Sequence, residues 1–432
     1  MRGDDAVARL TLDVRHTGRR LLEHVRTPLH RDGYALAINA GFTAATGLVY
    51  WIVAAKTYTT NAVGLNSALI SSMMFVSGIA SLNLPNLLVR FLPEGGSRTQ
   101  WLIAWSYGVA VMVAAASVAV FLIGVGAWAP RLSFLRSQTD LQVWFILSTL
   151  AWCVFVLQDS VLTALGRAVW VPIENAVFSL LKLALLAALV TALPRYGIFV
   201  SWTAAMLVSV VGVNLLIFAR LAGPASLRPV REVLTLRDRA LVRYFAADYV
   251  CSIAWISAVN LMPIIVTSVA GATVNAYYAL AWAVALPMYV FAASIGISLV
   301  LHGTHDPAAL SELTRKAARQ GAAVLLPGVA LIVAFAPIAL SLFGPAYERE
   351  GTTLLRLLCL GALPYFVLAL SVSVARVHRH MRPATIALVA QAVLTLGLTA
   401  PLIHAAGVTG AGIAWLTSQC VVAAGLLAAR RS

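Results

Sequence analysis

The chain has 432 residues, of which 61% are hydrophobic and 11% are charged, and its mean hydropathy is +0.88. These values exclude an ordinary soluble enzyme, because soluble domains are about half apolar and about one quarter charged. The net charge of +15 would suggest a nucleic-acid partner in a soluble protein. The four cysteines lie singly in apolar stretches, so we expect neither a disulfide framework nor a paired-cysteine metal site.

The first 32 residues carry scattered charges and no apolar core, which excludes a cleavable signal peptide. Apolar residues recur at helical spacing there, with arginines between them. This pattern indicates either a basic amphipathic segment on anionic headgroups or a frayed cytoplasmic tail.

Twelve apolar segments follow, each long enough to cross a bilayer core of about 30 Å as a helix. Their predicted spans are 34–55, 62–89, 101–126, 141–165, 172–193, 197–219, 244–269, 275–301, 321–343, 352–375, 383–403 and 408–429. The connections are short, as expected of antiparallel helices in a bundle. We number these segments 1 to 12.

The positions of Lys and Arg predict the orientation of the segments. If the N-terminus is cytoplasmic, 24 of the 31 basic residues fall in cytoplasmic segments and five in outer loops. Both termini are then cytoplasmic, and the basic excess reflects topology, so we expect no nucleic-acid partner. The sequence predicts a multi-pass membrane protein.

The two halves of the chain show weak self-similarity at a nearly constant offset, which predicts a parallel duplication. Asn39 matches Asp248, residues 62–69 match 273–280, and Gly197 with Trp202 matches Gly410 with Trp415. The predicted organisation is a cytoplasmic head (1–32), an N-lobe (33–221), a basic linker (222–243) and a C-lobe (244–432).

Several motifs resemble bacterial polysaccharide and O-antigen export flippases of the multidrug/oligosaccharidyl-lipid/polysaccharide transporter superfamily. The motifs are Asn39, the run 62–64, the helix exit 90–93, residues 158–182 and the run 407–414. The resemblance implies an all-α membrane protein whose twelve helices form two pseudo-symmetric six-helix bundles around a V-shaped cavity. It also implies that the cavity holds the polar head of an undecaprenyl-diphosphate-linked oligosaccharide while the lipid tail stays in the bilayer.

A charged residue within a membrane helix is costly, about 2.5 to 3.5 kcal/mol on insertion scales, and usually faces a partner or a wet cavity. Five lie in the predicted segments: Asp159, Glu174, Lys182, Asp248 and Arg356. Lys182, at the middle of segment 5, could contact a substrate diphosphate or could pair with Asp159 and lock segment 4 to segment 5. Arg356 lies near a segment end and could reach the headgroups.

Asp159 and Glu174 lie near Gln158 and Asn175, at the predicted cytoplasmic end of segments 4 and 5. This cluster predicts a polar network that sets the hairpin or closes an inner gate, in preference to direct binding. Glu174 is eight positions from Lys182, roughly 12 Å along a helix, so the two could line one wall without touching.

Asp248 could pair with Arg90 or Arg243 in a cytoplasmic gate, could take up a coupling proton, or could cap its helix. The break at Asn83 to Asn86, which contains Pro85, and the prolines at 287 and 337 could act as hinges. Five tryptophans lie deeper than the interfacial belt and could face a cavity: Trp105, Trp152, Trp202, Trp255 and Trp282.

These residues define the predicted site. Lys182, Asn39, Glu174 and Asn175 are assigned to the substrate cavity, and Asp248, Asp159 and Arg90 to a gate or a coupling site. We expect no metal and no cofactor, because no Walker-type loop or metal-ligand cluster is present. The expected partners are a lipid-linked oligosaccharide, membrane lipids, H⁺ or Na⁺ for coupling, and polysaccharide-assembly enzymes.

Two other functions remain open. The first is a cation-coupled multidrug antiporter of the same superfamily. The resemblance implies an acid in the first helix of that branch, whereas segment 1 contains only Asn39. The second is a membrane-embedded polysaccharide polymerase or ligase, although the longest outer loop is only about a dozen residues and lacks histidine.

Overall fold

A computed structural model describes residues 28–94, 99–221, 239–306 and 308–429, with side chains described for 42–93, 99–221, 243–306 and 308–429. Twelve long helices occupy these ranges, numbered α1 to α12. They are Pro28–Thr57, Thr60–Ala80, Thr99–Trp128, Thr139–Ala164, Trp170–Ala188, Gly197–Leu216, Arg239–Ala270, Ala272–His305, Leu310–Ala334, Pro345–Val377, Arg382–Ala406 and Val408–Ala429. Most of the basic head, the side chain of Asn39 and most of the predicted linker lie outside the described residues.

Within this part of the chain, eleven helices are long and apolar enough to span a membrane, and α1 is the twelfth long helix. No β-strand occurs in the described ranges. The outer surface carries large apolar side chains such as Ile123 and Ile386, which are 75% and 70% exposed. Such a surface suits lipid and would be unfavourable in water. The predicted all-helical membrane fold is confirmed.

Three predicted segments differ from the structure. Segment 2 is broken at residues 81–83, because Leu82 and Asn83 adopt left-handed backbone angles, and a short helix, Leu84–Phe91, follows. Pro85 lies in the first turn of that helix, where the absence of a backbone N–H loses no helical hydrogen bond. The helix of segment 9 begins eleven positions earlier than predicted, at Leu310, and is interrupted at Phe335 before the helix Ala336–Ser341. Segment 5 ends at Ala188, five positions early.

The helix pairings of the first half recur in the second half. Helices pack as α1·α5, α2·α3, α2·α4, α3·α4, α4·α6 and α5·α6, and the equivalent pairs are α7·α11, α8·α9, α8·α10, α9·α10, α10·α12 and α11·α12. Six matching pairs in one order are what an internal duplication produces. We call α1–α6 the first lobe and α7–α12 the second lobe.

The lobes meet along a seam formed mainly by α2, which packs against both α7 and α8. The contact is closest at Gly64, where a Cβ atom would clash with the backbone carbonyl of Ala272. Asn275 donates an amide hydrogen bond to the Gly64 carbonyl oxygen at 2.8 Å. Gly64 and Asn275 are partners in the 211-residue repeat, so the two copies of the motif meet each other at the seam.

The basic residues of the described chain lie mainly at one end of the bundle, which we call the basic end. Arg90 follows α2, whereas Arg376 and Arg379 lie at the end of α10, yet all three interact electrostatically with Tyr244. Gly64 and Ala272 lie at the opposite end, where α2 and α8 begin. The seam therefore has a basic end and an opposite end with different closing contacts.

Candidate functional site

Lys182 lies in the interior of the first lobe and is only 2% exposed. Its Nζ atom is 4.2 Å from the ring centroid of Trp202, 4.7 Å from that of Phe178 and 5.3 Å from that of Tyr50. These rings come from α6, α5 and α1, so three helices enclose the ammonium group. We call Lys182 and the three rings the aromatic cage.

Aromatic faces stabilise a desolvated cation by about 2 kcal/mol each at best. The cage is fixed by the Tyr50 hydroxyl, which donates to the Ile198 carbonyl at 2.7 Å and lies 2.9 Å from the Ser201 hydroxyl. Among the described residues, Lys182 forms no ion pair. The alternative that it pairs with Asp159 is therefore wrong, because the aromatic rings take the place of the carboxylate.

A polar cluster lies between α4, α5 and α6, nearer the basic end. Glu174 is 4% exposed and accepts hydrogen bonds at Oε1 from the Gln158 amide and, at 3.4 Å, from the Ser209 hydroxyl. Asn214 donates to Gln158 Oε1 at 3.0 Å. The predicted network of Gln158 and Glu174 is thus formed, and α6 completes it.

Several oxygens of this cluster are buried and lack partners within the described structure: Glu174 Oε2, Asp159 Oδ1, Asn214 Oδ1 and the Tyr107 hydroxyl. The two carboxylates interact electrostatically, and no basic side chain of the described chain pairs with them. Buried carboxylates of this kind need a proton or a cation. Asn175 interacts with the Asp159 carboxylate, and its own amide also donates to the Val171 carbonyl at 3.0 Å.

Asp248 forms a latch across the seam at the basic end. Its Oδ1 atom accepts from Arg376 Nε and lies 3.0 Å from Arg376 Nη2, while Oδ2 accepts from the Asn83 amide at 3.1 Å. Arg376 is in α10 of the same lobe, whereas Asn83 belongs to the break after α2. The predicted partners Arg90 and Arg243 are wrong, because the inner end of α10 reaches the carboxylate instead.

The seam is closed beside this latch by two further contacts. The Tyr249 hydroxyl donates to the Ile79 carbonyl at 2.5 Å. At Gly78, an added Cβ atom would lie 2.8 Å from Ile256 Cγ2, so α2 and α7 touch with no room for a side chain. Arg90 is exposed at this end and lies over the ring of Phe91 at 5.4 Å.

Two cavities lie on either side of Ile256, one at the seam and one next to it within the second lobe. One, of about 200 Å³, lies between α2, α4 and α7 and includes Trp152 and Asn260. The other, of about 310 Å³, lies within the second lobe and includes Trp255, Tyr365 and Arg376. The rings of Trp255 and Tyr365 stack with centroids 4.7 Å apart. We call these two spaces the seam cavities.

The structure describes the side chains of three of the four residues assigned to a substrate cavity by sequence. Lys182, Glu174 and Asn175 line neither seam cavity, because they face the interior of the first lobe. Sequence reasoning identified Trp152 and Trp255 only as deep tryptophans, and it missed Arg376 and Asn260. Arg376 directly follows predicted segment 10, which ends at residue 375, and Asn260 is a neutral side chain in an apolar run. Arg356 is exposed and donates to the Val333 carbonyl at 3.0 Å. It lies eleven positions after the start of α10, farther from the helix end than predicted, and its partner is near the end of α9.

No protein-family model matches the sequence, and no curated protein matches it. Solved structures do resemble it. An inward-facing multidrug resistance MATE family transporter of the MOP superfamily gives a TM-score of 0.68 at 14% identity, covering 90% of this chain and 93% of that one. The lipid II flippase MurJ in an inward closed conformation gives 0.64 at 13% identity, covering 92% and 87%. A MATE structure in a bent conformation gives 0.61 at 15% identity, covering 95% and 96%.

At these identities the likeness defines the fold. The chain has the helical fold of multi-pass membrane transporters. More particularly, that fold is shared with MATE transporters of the MOP superfamily and with the flippase MurJ.

Proposed function

We propose that this chain is a flippase that exports an undecaprenyl-diphosphate-linked oligosaccharide for cell-surface polysaccharide synthesis. The observation that carries the proposal is the lining of the seam cavities, which includes one arginine and no carboxylate. A guanidinium group suits a diphosphate, to which it can donate two parallel hydrogen bonds. Nε and Nη2 of Arg376 contact Asp248 in this state, so they would become available to a diphosphate when the latch opens. Aromatic faces at Trp152 and Trp255 offer amphipathic surfaces for sugar rings.

Alternating access is the proposed mechanism. The seam is closed at the basic end by the latch and at the opposite end by the Gly64 contact, so opening one end at a time would expose the cavities to one side. The basic end is proposed to face the cytoplasm of a bacterium, since basic connections favour that side. Arg90 is proposed to belong to the gate at this end.

The buried clusters of the first lobe are proposed to act in other states of the cycle. Lys182 would contact the diphosphate when α5 and α6 separate and the aromatic cage opens, and Asn39 and Asn175 would line the same wall. Asp159 and Glu174 would take up H⁺ or Na⁺, because their buried oxygens lack partners in the described chain.

Replacing Trp152 or Trp255 with alanine is expected to lower flipping of a fluorescent polyprenyl-diphosphate oligosaccharide about tenfold, as expected when about 1.4 kcal/mol of contact with the head group is lost. The measurement uses proteoliposomes and a membrane-impermeant quencher, with and without imposed H⁺ or Na⁺ gradients. Trp105→Ala is the matched control, because Trp105 is 51% exposed on the outer surface. Native rates in both cavity variants would contradict the proposed site.

Lys182→Met is expected to leave the thermal midpoint unchanged or raised, because methionine fills the aromatic cage without a desolvated charge. Flipping is expected to fall about tenfold if the ammonium contacts the diphosphate. Lys56→Met, at the exposed end of α1, is the control for a change of charge. A native flipping rate in Lys182→Met would remove Lys182 from the substrate path.

A cation-coupled multidrug antiporter is the second candidate, and the MATE likeness together with the buried carboxylates favours it. The same proteoliposomes loaded with a cationic dye separate the two functions. Gradient-driven dye export without movement of the lipid-linked sugar would establish the antiporter and overturn the flippase.

A further inference from the structure

A pocket of about 580 Å³ lies at the opposite end of the first lobe, between the start of α4 and the connection from α5 to α6. It is larger than either seam cavity, and its volume is within the range of about 300–1,000 Å³ that is typical of small-molecule sites. The start of α4 and the residue before it supply Gln138, Asp140 and Trp144, and the connection supplies Tyr196. We call this space the end pocket.

The two aromatic residues of the end pocket have their polar atoms bonded within the protein. Trp144 Nε1 donates to the Thr203 hydroxyl at 2.7 Å, and the Tyr196 hydroxyl donates to Gln138 Oε1 at 3.0 Å. The Tyr196 ring also stacks on Phe134, with centroids 6.0 Å apart. An interfacial belt residue would direct its polar atom to headgroups or water. Here the polar atoms are satisfied inside the first lobe, and the rings line the pocket.

One wall of the end pocket is held in place by Asn66 of α2, which is fully buried. The Asn66 amide donates to the Arg195 carbonyl at 2.7 Å and accepts from the Phe199 backbone N–H at 2.9 Å. These bonds attach the connection between α5 and α6 to α2, two positions after the Gly64 contact of the seam. A wall that is already ordered reduces the entropy lost when a ligand binds.

The polar groups and charges of the end pocket select the chemistry of a ligand. Among the described residues, the Asp140 carboxylate and the Gln138 amide nitrogen form no hydrogen bond, so they offer an acceptor and a donor. The Arg195 guanidinium lies 5.2 Å from the Tyr196 ring centroid, and Arg136 precedes Gln138 by two positions. These basic residues disfavour an organic cation, and Asp140 disfavours an anion. A neutral ligand with several hydroxyl groups fits both conditions.

We propose that the end pocket binds a neutral sugar unit. Sugar hydroxyls would bond to Asp140 and Gln138, and the apolar face of the sugar ring would pack on Trp144. This inference rests on the proposed flippase function for the source of the sugar, which is the exported glycan. Trp152, which lines a seam cavity, is eight positions after Trp144 on α4. The end pocket therefore lies about 12 Å farther along this helix, toward the side proposed to face outward.

The test measures sugar binding without transport. Fluorescent neutral tetrasaccharides of glucose, galactose, mannose, rhamnose or N-acetylglucosamine are titrated with the purified protein in nanodiscs, and fluorescence anisotropy reports binding, with the dye alone as the blank. Trp144→Ala is expected to weaken binding about tenfold. Asp140→Asn is expected to weaken it about fivefold, because a charge-assisted hydrogen bond becomes a neutral one.

Matched variants control for each change. Trp128→Ala removes a tryptophan that is 53% exposed at the same end and does not line the end pocket. Glu350→Gln removes an exposed carboxylate at that end of the second lobe. Asp140 is also exposed, so Asp140→Asn still tests the pocket if Trp144→Ala fails to fold.

Three results would overturn the end pocket, whatever the native protein transports. They are no tetrasaccharide binding by the native protein, native affinity in Asp140→Asn and in folded Trp144→Ala, and binding of the organic cation tetraphenylphosphonium in place of the sugars. A native protein that binds a tetrasaccharide through Trp144 and Asp140 but moves no lipid-linked sugar would overturn the flippase and retain the sugar site.

Discussion

Gly64→Val is expected to lower the thermal midpoint of the purified protein by about 5 °C and to abolish transport. The new Cβ atom would clash with the Ala272 carbonyl, which is backbone and cannot move aside as a side chain would. Overpacking of this kind costs about 1–3 kcal/mol, and each kcal/mol is worth about 2–4 °C in a unit of 150–250 residues. The variant would also lengthen the hydrogen bond from Asn275.

Gly108→Val is the control for Gly64→Val. Gly108 lies in α3, where an added Cβ atom would meet nothing within 4 Å, so the change in helix propensity is the same without the clash. Tryptophan fluorescence during heating measures the midpoint, and flipping in proteoliposomes measures transport. Equal midpoints for the two variants would show that α2 and α8 do not meet tightly at Gly64.

Breaking the latch is expected to open the basic end. Asp248→Asn removes the carboxylate that bonds Asn83 across the seam, and Arg376→Gln removes the group that holds this carboxylate in place. Either variant should raise the rate at which a water-soluble maleimide labels Ser252→Cys, a residue that lines the same seam cavity as Arg376. Removing one partner of a fully buried pair costs about 3–5 kcal/mol. Arg376 is 32% exposed, so solvent screening reduces that to about 1–2 kcal/mol, or roughly tenfold in rate.

The latch experiment uses a background in which the four native cysteines are replaced with alanine. The double variant should label no faster than either single variant, because both changes remove one interaction. Arg379→Gln is the control, since Arg379 is exposed at the same end and is not bonded to Asp248. Native labelling rates in both single variants, or additive effects in the double variant, would contradict a latch.

The helices were predictable because a bilayer imposes one length and one composition on every crossing. Eleven of the twelve helices begin within seven positions of their predicted start. The break at Leu82 and Asn83 is harder to predict from the sequence, because the apolar composition continues through it and only the Asn and Pro residues indicate it. The start of α9 at Leu310 is not predictable from hydropathy, because its first turns are amphipathic and carry Arg315, Lys316 and Arg319.

The site was less predictable than the fold. The sequence identifies Lys182, Glu174 and Asp248 as charged residues whose placement in a membrane is energetically costly. That energetic cost does not identify the side chains with which each residue interacts. Lys182 contacts an aromatic ring on α6 that is 20 positions away and one on α1 that is 132 positions away. Asp248 accepts a hydrogen bond from Arg376, which is 128 positions away. Such pairings depend on how helices pack, and a single sequence does not contain that information.

Because of the break at residues 81–83, the two parts of one membrane crossing pack against different lobes. The long part, α2, packs against α7 and α8 of the second lobe, whereas the short helix Leu84–Phe91 packs against α4 of the first lobe. The corner between them is Asn83, and its side chain also holds Asp248. The same side chain therefore contributes both to the contact between the lobes and to the corner between two helices. We expect bending at this corner to be coupled to opening of the basic end.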